Sequence, residues 1–180
     1  MELINTPIQG VFVLKPNLFK DDRGYFYESY NQKTFEKLGI SDHFVQDNQS
    51  CSQKNVIRGL HFQKPPFAQA KLVRVVQGAI LDIAVDIRKD SPTFGKYYAV
   101  ELTSENHLQL YIPIGFAHGF AVLEDHTIVQ YKCSEFYNKE YEGTILYNDP
   151  IINIDWHIEN PILAAKDMQG LDFNTFISPF

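Results

Sequence analysis

The chain has 180 residues, 44% of them hydrophobic and 21% charged, which is enough for one packed globular domain and ordinary for a soluble one. Its net charge of −6, without any Lys/Arg block, argues against nucleic acid as a partner; an anionic ligand would need a local cluster of cations. No apolar run approaches a membrane span and the N-terminus lacks a signal-peptide pattern, while two distant cysteines outside any CxxC fit a reducing cytoplasm.

Strand signals dominate from the start. The β-rich runs 11–15 and 25–30 are separated by the turn Asp21-Asp22-Arg23-Gly24. Asn31 is placed to cap a short helix over 32–38, with Gly39 as its stop. Gln46-Asp47-Asn48 interrupts a further strand, and Arg58-Gly59-Leu60-His61-Phe62-Gln63 follows. In run 71–77, Lys71 shares parity with Val73 and Val75 but Arg74 goes with Leu72 and Val76, so one cation faces whatever the strands enclose. Run 79–87 alternates, with Leu81, Ile83, Val85 and Ile87 on one face and Asp82 and Asp86 on the other.

Further runs are expected over 97–102, 108–112, 119–123 and 127–136, punctuated by Ser91-Pro92, Ile112-Pro113-Ile114-Gly115 and Asn148-Asp149-Pro150. Residues 161–167 read as one more helical turn. Phe173, Phe176 and Phe180 in the tail need cover, from the body or from a partner subunit. Many short strands at this spacing predict an all-β sandwich, jelly roll or barrel. Without repeats or linker-like stretches, residues 1–180 are expected to form a single domain.

The chemistry-bearing residues interrupt apolar runs. His61 follows Arg58 by three positions, which joins a group that titrates near neutrality to a fork suited to phosphate oxygens. His118 shares strand parity with Phe120 and Val122, and Tyr131 with Val129 and Cys133. An inward histidine or tyrosine can serve proton transfer or satisfy a core hydrogen bond, and each residue alone leaves both roles open. Lys71 inside a small barrel needs an anion; at a strand end it would be solvated. An aspartate such as Asp167 can orient a histidine, or pair on the surface with Lys166. Metal binding finds little support among the six histidines: Gln63 stands two residues after His61, and no HExxH is present. A GxSxG elbow, a phosphate loop and a dinucleotide fingerprint are also missing.

Taken together and in order, these segments resemble the dTDP-4-dehydrorhamnose 3,5-epimerases of the cupin superfamily. The resemblance is carried by Asp22-Arg23-Gly24-Tyr25-Phe26-Tyr27-Glu28, Gln46-Asp47-Asn48, Arg58 to Gln63 and the Lys71 strand. It continues through Pro113 to Phe120, Tyr131-Lys132, Tyr137 to Glu142, Asn148-Asp149-Pro150, Trp156 and Lys166-Asp167. It departs at Phe62, where Tyr is frequent, at Tyr147, where Trp is frequent, and at His157, where Pro often follows the Trp.

The resemblance implies a double-stranded β-helix with a few short helices, acting without metal or redox cofactor on a dTDP-linked 4-keto-6-deoxy sugar. It implies His61 as base, Asp167 as its orienter, Tyr131 as acid on the opposite face and Lys71 as the enolate's partner. Arg58 would assist there or reach the diphosphate. Arg23, Glu28, Gln46, Asp47, Asn48, His118, Glu142 and Lys166 would hold substrate, with Phe26 and Tyr137 stacking on the base. It also implies a homodimer whose N-terminal strands cross between subunits. Narrower readings are an epimerase of one carbon, a ketoisomerase on a related nucleotide sugar, or a barrel that binds without catalysis.

Overall fold

Short β-rich runs broken by turn residues fold into thirteen strands, arranged as two facing sheets and one separate hairpin. The structure, a computed structural model, describes residues 1–180. In chain order, β1 (Glu2–Asn5) and β2 (Phe12–Lys15) pair antiparallel, and β3 (Phe19–Asp21) pairs with β4 (Gly24–Phe26) as an exposed hairpin. The helix α1 (Gln32–Lys37) follows, then β5 (Gln46–Ser52), β6 (Ile57–Gln63), β7 (Lys71–Gln77) and β8 (Ala79–Asp86). The remaining strands are β9 (Tyr97–Thr103), β10 (Gln109–Ile112), β11 (Phe116–Val122), β12 (Thr127–Cys133) and β13 (Glu142–Thr144). One sheet has the order β1-β2-β10-β7-β12-β5 and the other β13-β6-β11-β8-β9. This is the all-β, cupin-like barrel that the sequence implies. No helix is long and apolar enough to cross a membrane.

Burial explains the alternation along each strand. Val73, Val75, Ile80, Ala84, Leu110, Phe120 and Val129 fill the space between the sheets. The opposite face of the five-stranded sheet is also dry, because Trp156, Phe173, Phe176 and Phe180 of the C-terminal segment cover Leu60, Phe62, Leu81, Ile83 and Val85. The tail rings therefore pack on the chain's own body, with Phe62 and Phe176 centroids 5.6 Å apart. On the six-stranded sheet, α1 lays Phe35 over Leu14, Leu72 and Tyr111. Asn31 caps α1 by accepting from the Thr34 amide, as the sequence expects, and Gly39 ends it at φ +86°.

Both faces of β8 are buried, so neither Asp82 nor Asp86 meets water. Asp86 is compensated by Arg88, Ser91 and Thr93, with oxygen contacts of 2.6 Å from each. The helical turn expected over 161–167 is confined to its end: Ile162 is extended and bridges Val56 through backbone bonds to Asn55 and Ile57, and the turn starts at Ala164, whose carbonyl accepts from the Asp167 and Met168 amides and leads into the 3-10 turn Asp167–Gln169. The strand expected over 25–30 stops at Phe26, and that over 127–136 stops at Cys133.

One local irregularity sets up the cavity between the sheets. Pairing of β6 with β11 runs His61↔His118 and then Arg58↔Phe120, so three steps on β6 match two on β11. The extra residue is a bulge that restores the same face after an odd interval. Arg58 and His61, three apart, therefore both line the cavity, which a regular strand would forbid. Gly59 makes the bulge possible, since its φ is +136° and a side chain there would run into Gly119 Cα and lie 2.9 Å from the His118 carbonyl oxygen. Gly59→Ala is expected to destabilise the fold by about 3 kcal/mol, lowering the melting temperature by on the order of 10 °C. A calorimetric midpoint within about 2 °C of the unsubstituted protein would contradict this reading.

Candidate active site

Between the sheets lies a cavity of about 560 Å³, a size suited to a small-molecule ligand. Strand parity, reset on β6 by the bulge, brings the polar side chains to it. From β6 come Arg58, His61 and Gln63; from β7, Lys71; from β11, His118 and Phe120; from β12, Tyr131 and Cys133. From β5 come Gln46, Asn48 and Ser50, while the C-terminal segment supplies Lys166 and Asp167 and the β12–β13 connection Tyr137. His61 and Tyr131 sit on different sheets and so approach the cavity from opposite walls.

His61 Nε2 lies 2.5 Å from Asp167 Oδ1, and the carboxylate is almost fully buried. A carboxylate accepts, so Nε2 donates and Nδ1 is the nitrogen left with a free lone pair. Opposite His61 in register, His118 makes a second pair of this kind, Nε2 to Asp82 Oδ1 at 2.8 Å. Burial, with Lys71 and His61 nearby, pushes the His118 pKa down against the pull of Asp82, which favours the neutral ring.

Lys71 forms no ion pair. Burial drives its pKa below the ordinary 10.5, although Cys133, Asp82 and Glu142 oppose the shift. Burial also pushes the Tyr131 hydroxyl up, so the phenol holds its proton. Arg58 donates through Nε and Nη2 to Ser52 Oγ at 3.2 and 3.1 Å, with no carboxylate on its guanidinium. A base, a phenol on the far wall and an ammonium without an anion suit proton removal beside a carbonyl, with negative charge developing on oxygen.

At another part of the rim, Tyr137 donates to Glu142 Oε2 at 3.2 Å, and Lys166 donates to Glu142 Oε1 at 2.8 Å. Burial raises the Glu142 pKa, but Lys166, His61 and the Tyr137 hydroxyl together offset it and hold the carboxyl below its usual range. Gln46 and Asn48 line the same region, joined by a bond from Gln46 Nε2 to Asn48 Oδ1.

The remaining expected site residues lie elsewhere on this chain. Asp47 occupies the opposite face of β5, where Lys132 pairs with it at 2.8 Å. Arg23 is bound to Asp21 on the exposed hairpin, Glu28 accepts from Asn31 Nδ2, and Phe26 is 69% exposed. None of these four lines the cavity. Residue reading also left out Asp82, Ser50, Gln63 and Cys133. The signal for Asp82 was present: a carboxylate in the middle of a strand otherwise as apolar as β8 needs a buried partner. No three His, Cys, Asp or Glu side chains converge on a point suited to a metal ion.

The dTDP-4-dehydrorhamnose 3,5-epimerase family model matches residues 5–175. The dTDP-4-dehydrorhamnose 3,5-epimerase of Shigella flexneri is 53% identical over 174 residues, covering 96% of each chain. The dTDP-6-deoxy-D-glucose-3,5-epimerase of Legionella pneumophila, solved with dTDP-4-keto-L-rhamnose, superposes with a TM-score of 0.94. It is 46% identical, with 98% of this chain and 94% of that one covered. A 3′-monoepimerase of Streptomyces bikiniensis, solved with dTDP-quinovose, is more distant at 30% identity and a TM-score of 0.88, with 94% and 87% covered. The chain therefore belongs to the dTDP-4-dehydrorhamnose 3,5-epimerase family of isomerases.

Proposed function

We propose that this single-domain chain epimerises dTDP-4-dehydro-6-deoxy-D-glucose at carbons 3 and 5, giving dTDP-4-dehydro-L-rhamnose, through an enolate. One observation carries the assignment of roles: His61, backed by Asp167, faces Tyr131 across a cavity that also holds an unpaired Lys71. His61 Nδ1 takes the proton from the carbon beside the ketone, and the C–H electrons move onto the carbonyl oxygen. The resulting imidazolium is stabilised by Asp167. Lys71 meets the oxyanion. Tyr131 then delivers its phenolic proton to the opposite face and the ketone re-forms. The phenolate and the imidazolium are left, and proton exchange with solvent resets them. Because burial makes the Tyr131 phenolate unfavourable, reprotonation is downhill.

The 3,5-reading is favoured over single-carbon inversion by the identities, 46% and 53% to 3,5-epimerases against 30% to the monoepimerase. In this reading Gln46, Asn48, Tyr137, Glu142 and Lys166 hold the nucleotide end, with Arg58 and His118 on the diphosphate or sugar. The protein acts as a cytoplasmic homodimer without metal or redox cofactor. Arg23, Phe26 and Glu28, which lie outside the chain's own cavity, serve across the subunit boundary through exchange of the N-terminal strands. The exposed Phe19, Tyr25 and Phe26 on the hairpin support such a contact.

Turnover in heavy water is expected to label two sugar carbons. Label at one carbon would mark a monoepimerase, and no label a binding protein. His61→Asn should suppress exchange at both positions by at least about 100-fold with little change in dTDP affinity, and near-normal exchange would remove His61 as the base. Tyr131→Phe should retain exchange yet lose net inversion by about 100-fold.

The alkaline limb of the kcat/KM profile reports Lys71. Its depressed pKa means that the ammonium is lost below pH 10.5 as pH rises, while the raised pKa of Tyr131 moves loss of the phenolic proton above its ordinary 10.0. Lys71→Arg keeps its charge through this range, so its limb should move to higher pH while the maximal rate falls by about tenfold or more. An unmoved limb would detach it from Lys71.

Subunit crossing is tested by co-expressing differently tagged His61→Asn and Phe26→Ala chains. If Phe26 serves the neighbour, each mixed dimer holds one intact site, and statistical pairing restores about a quarter of normal activity. If Phe26 acts within its own chain, nothing is restored.

A further inference from the structure

Gln63 ends the Arg58–Gln63 motif and is only 5% exposed, but no step of the reaction uses it. Its amide is fully engaged. Nε2 donates to the carbonyls of Phe67 at 2.7 Å and Phe136 at 3.1 Å, while Oε1 accepts from the Asn138 amide at 2.7 Å. The last two bonds bracket Tyr137. Bonding the carbonyl before a residue and the amide after it is what a neighbouring strand does in a ladder. The Gln63 side chain thus acts as a one-residue strand alongside Tyr137, and the following Asn138 is extended at φ −134° and ψ 112°.

The Tyr137 amide is taken by a second glutamine, Gln46 Oε1, at 3.0 Å. Its ring is 55% exposed and bonded only through the hydroxyl to Glu142. Backbone clamps, rather than side-chain packing, fix where this ring stands. Gln63 is also opposite Glu142 in the β6–β13 register and two residues beyond His61. One strand therefore carries the base and the clamp on the wall beyond it.

We propose that Gln63 is a positioning residue for nucleotide binding, acting through Tyr137 to set the distance between the nucleotide-stacking wall and the base His61. This rests on the reading that Tyr137 contacts the nucleotide. The chemistry requires a primary amide of this length. A carboxylate would present oxygen to two carbonyls, and asparagine is one methylene too short.

The test measures dTDP affinity by calorimetry and turnover kinetics, with the unmodified protein, Gln63→Leu, Tyr137→Ala and the double variant. Gln63→Leu should raise Kd for dTDP and KM by about tenfold while kcat stays within about twofold. In the Tyr137→Ala background it should add less than about twofold, because the residue it acts through is gone. Multiplicative effects in the double variant, or a fall in kcat at unchanged Kd, would overturn the proposal. Tyr137→Ala with normal dTDP affinity would instead overturn the reading of Tyr137, while leaving the clamp itself to be judged separately. That judgement needs no variant: in the unmodified protein without ligand, the Tyr137 and Asn138 amides should exchange with heavy water at least about 100-fold more slowly than the neighbouring exposed Lys139 amide. Exchange at equal rates would refute the clamp even if Gln63→Leu failed to fold.

Discussion

The contact between His61 and Asp167 joins residues 106 positions apart, and much of the molecule serves to keep it closed. Asp167 belongs to a segment without strand or long helix, so its place cannot come from a ladder. It comes from burial. Trp156, Phe173, Phe176 and Phe180 anchor the segment across the outer face of the five-stranded sheet, and the Ile162–Val56 and Leu171–Ile145 bridges tie it at two further points. The carboxylate is thereby held at a strand whose bulge has already turned His61 inward. Apolar area far from the chemistry thus fixes a polar contact at its centre.

The two-sheet architecture addresses a second requirement of the proposed reaction. A proton must leave one face of a ring and another must arrive on the opposite face. Base and acid on one strand, or on neighbouring strands, would approach from the same side. Placing His61 on one sheet and Tyr131 on the other, with Lys71 from a third strand, surrounds a planar intermediate. The same depth shifts the groups usefully: burial keeps Tyr131 protonated as a donor, and lowers Lys71 while leaving it without a competing carboxylate.

Parity along single strands was the most legible part of the sequence. It grouped Lys71 with Val73 and Val75, His118 with Phe120, and Tyr131 with Val129 and Cys133, and set Arg74 on the face opposite Lys71, because the period of two is a local property of the chain; which face is enclosed depends on the partner sheet. The Arg58–His61 pair was not readable in this way. Three residues apart, they belong to opposite faces of any regular strand, and only pairing with β11 reveals the bulge. That Asp82 needs a buried partner was legible, but that His118 is the partner was not, nor was the Gln63 clamp, since each depends on which segments become neighbours. The turn read over 161–167 begins only at Ala164, because the backbone groups of Asn55 and Ile57 recruit Ile162 into an extended bridge. Family resemblance supplied the roles; residue chemistry alone left each histidine and tyrosine with a structural alternative.

Ser50 Oγ and the second oxygen of Asp82 have no hydrogen-bond partner within the protein, and Ser50 lines the cavity. Together with an ammonium that forms no ion pair and a guanidinium bound only to a hydroxyl, they give the site a surplus of polarity unmatched by the chain itself. A dry apolar ligand could not relieve it, whereas a ligand bearing a carbonyl, hydroxyls and phosphate oxygens could. The chemical character of the substrate is thus written in what this interior leaves unsatisfied as much as in the groups that would act on it.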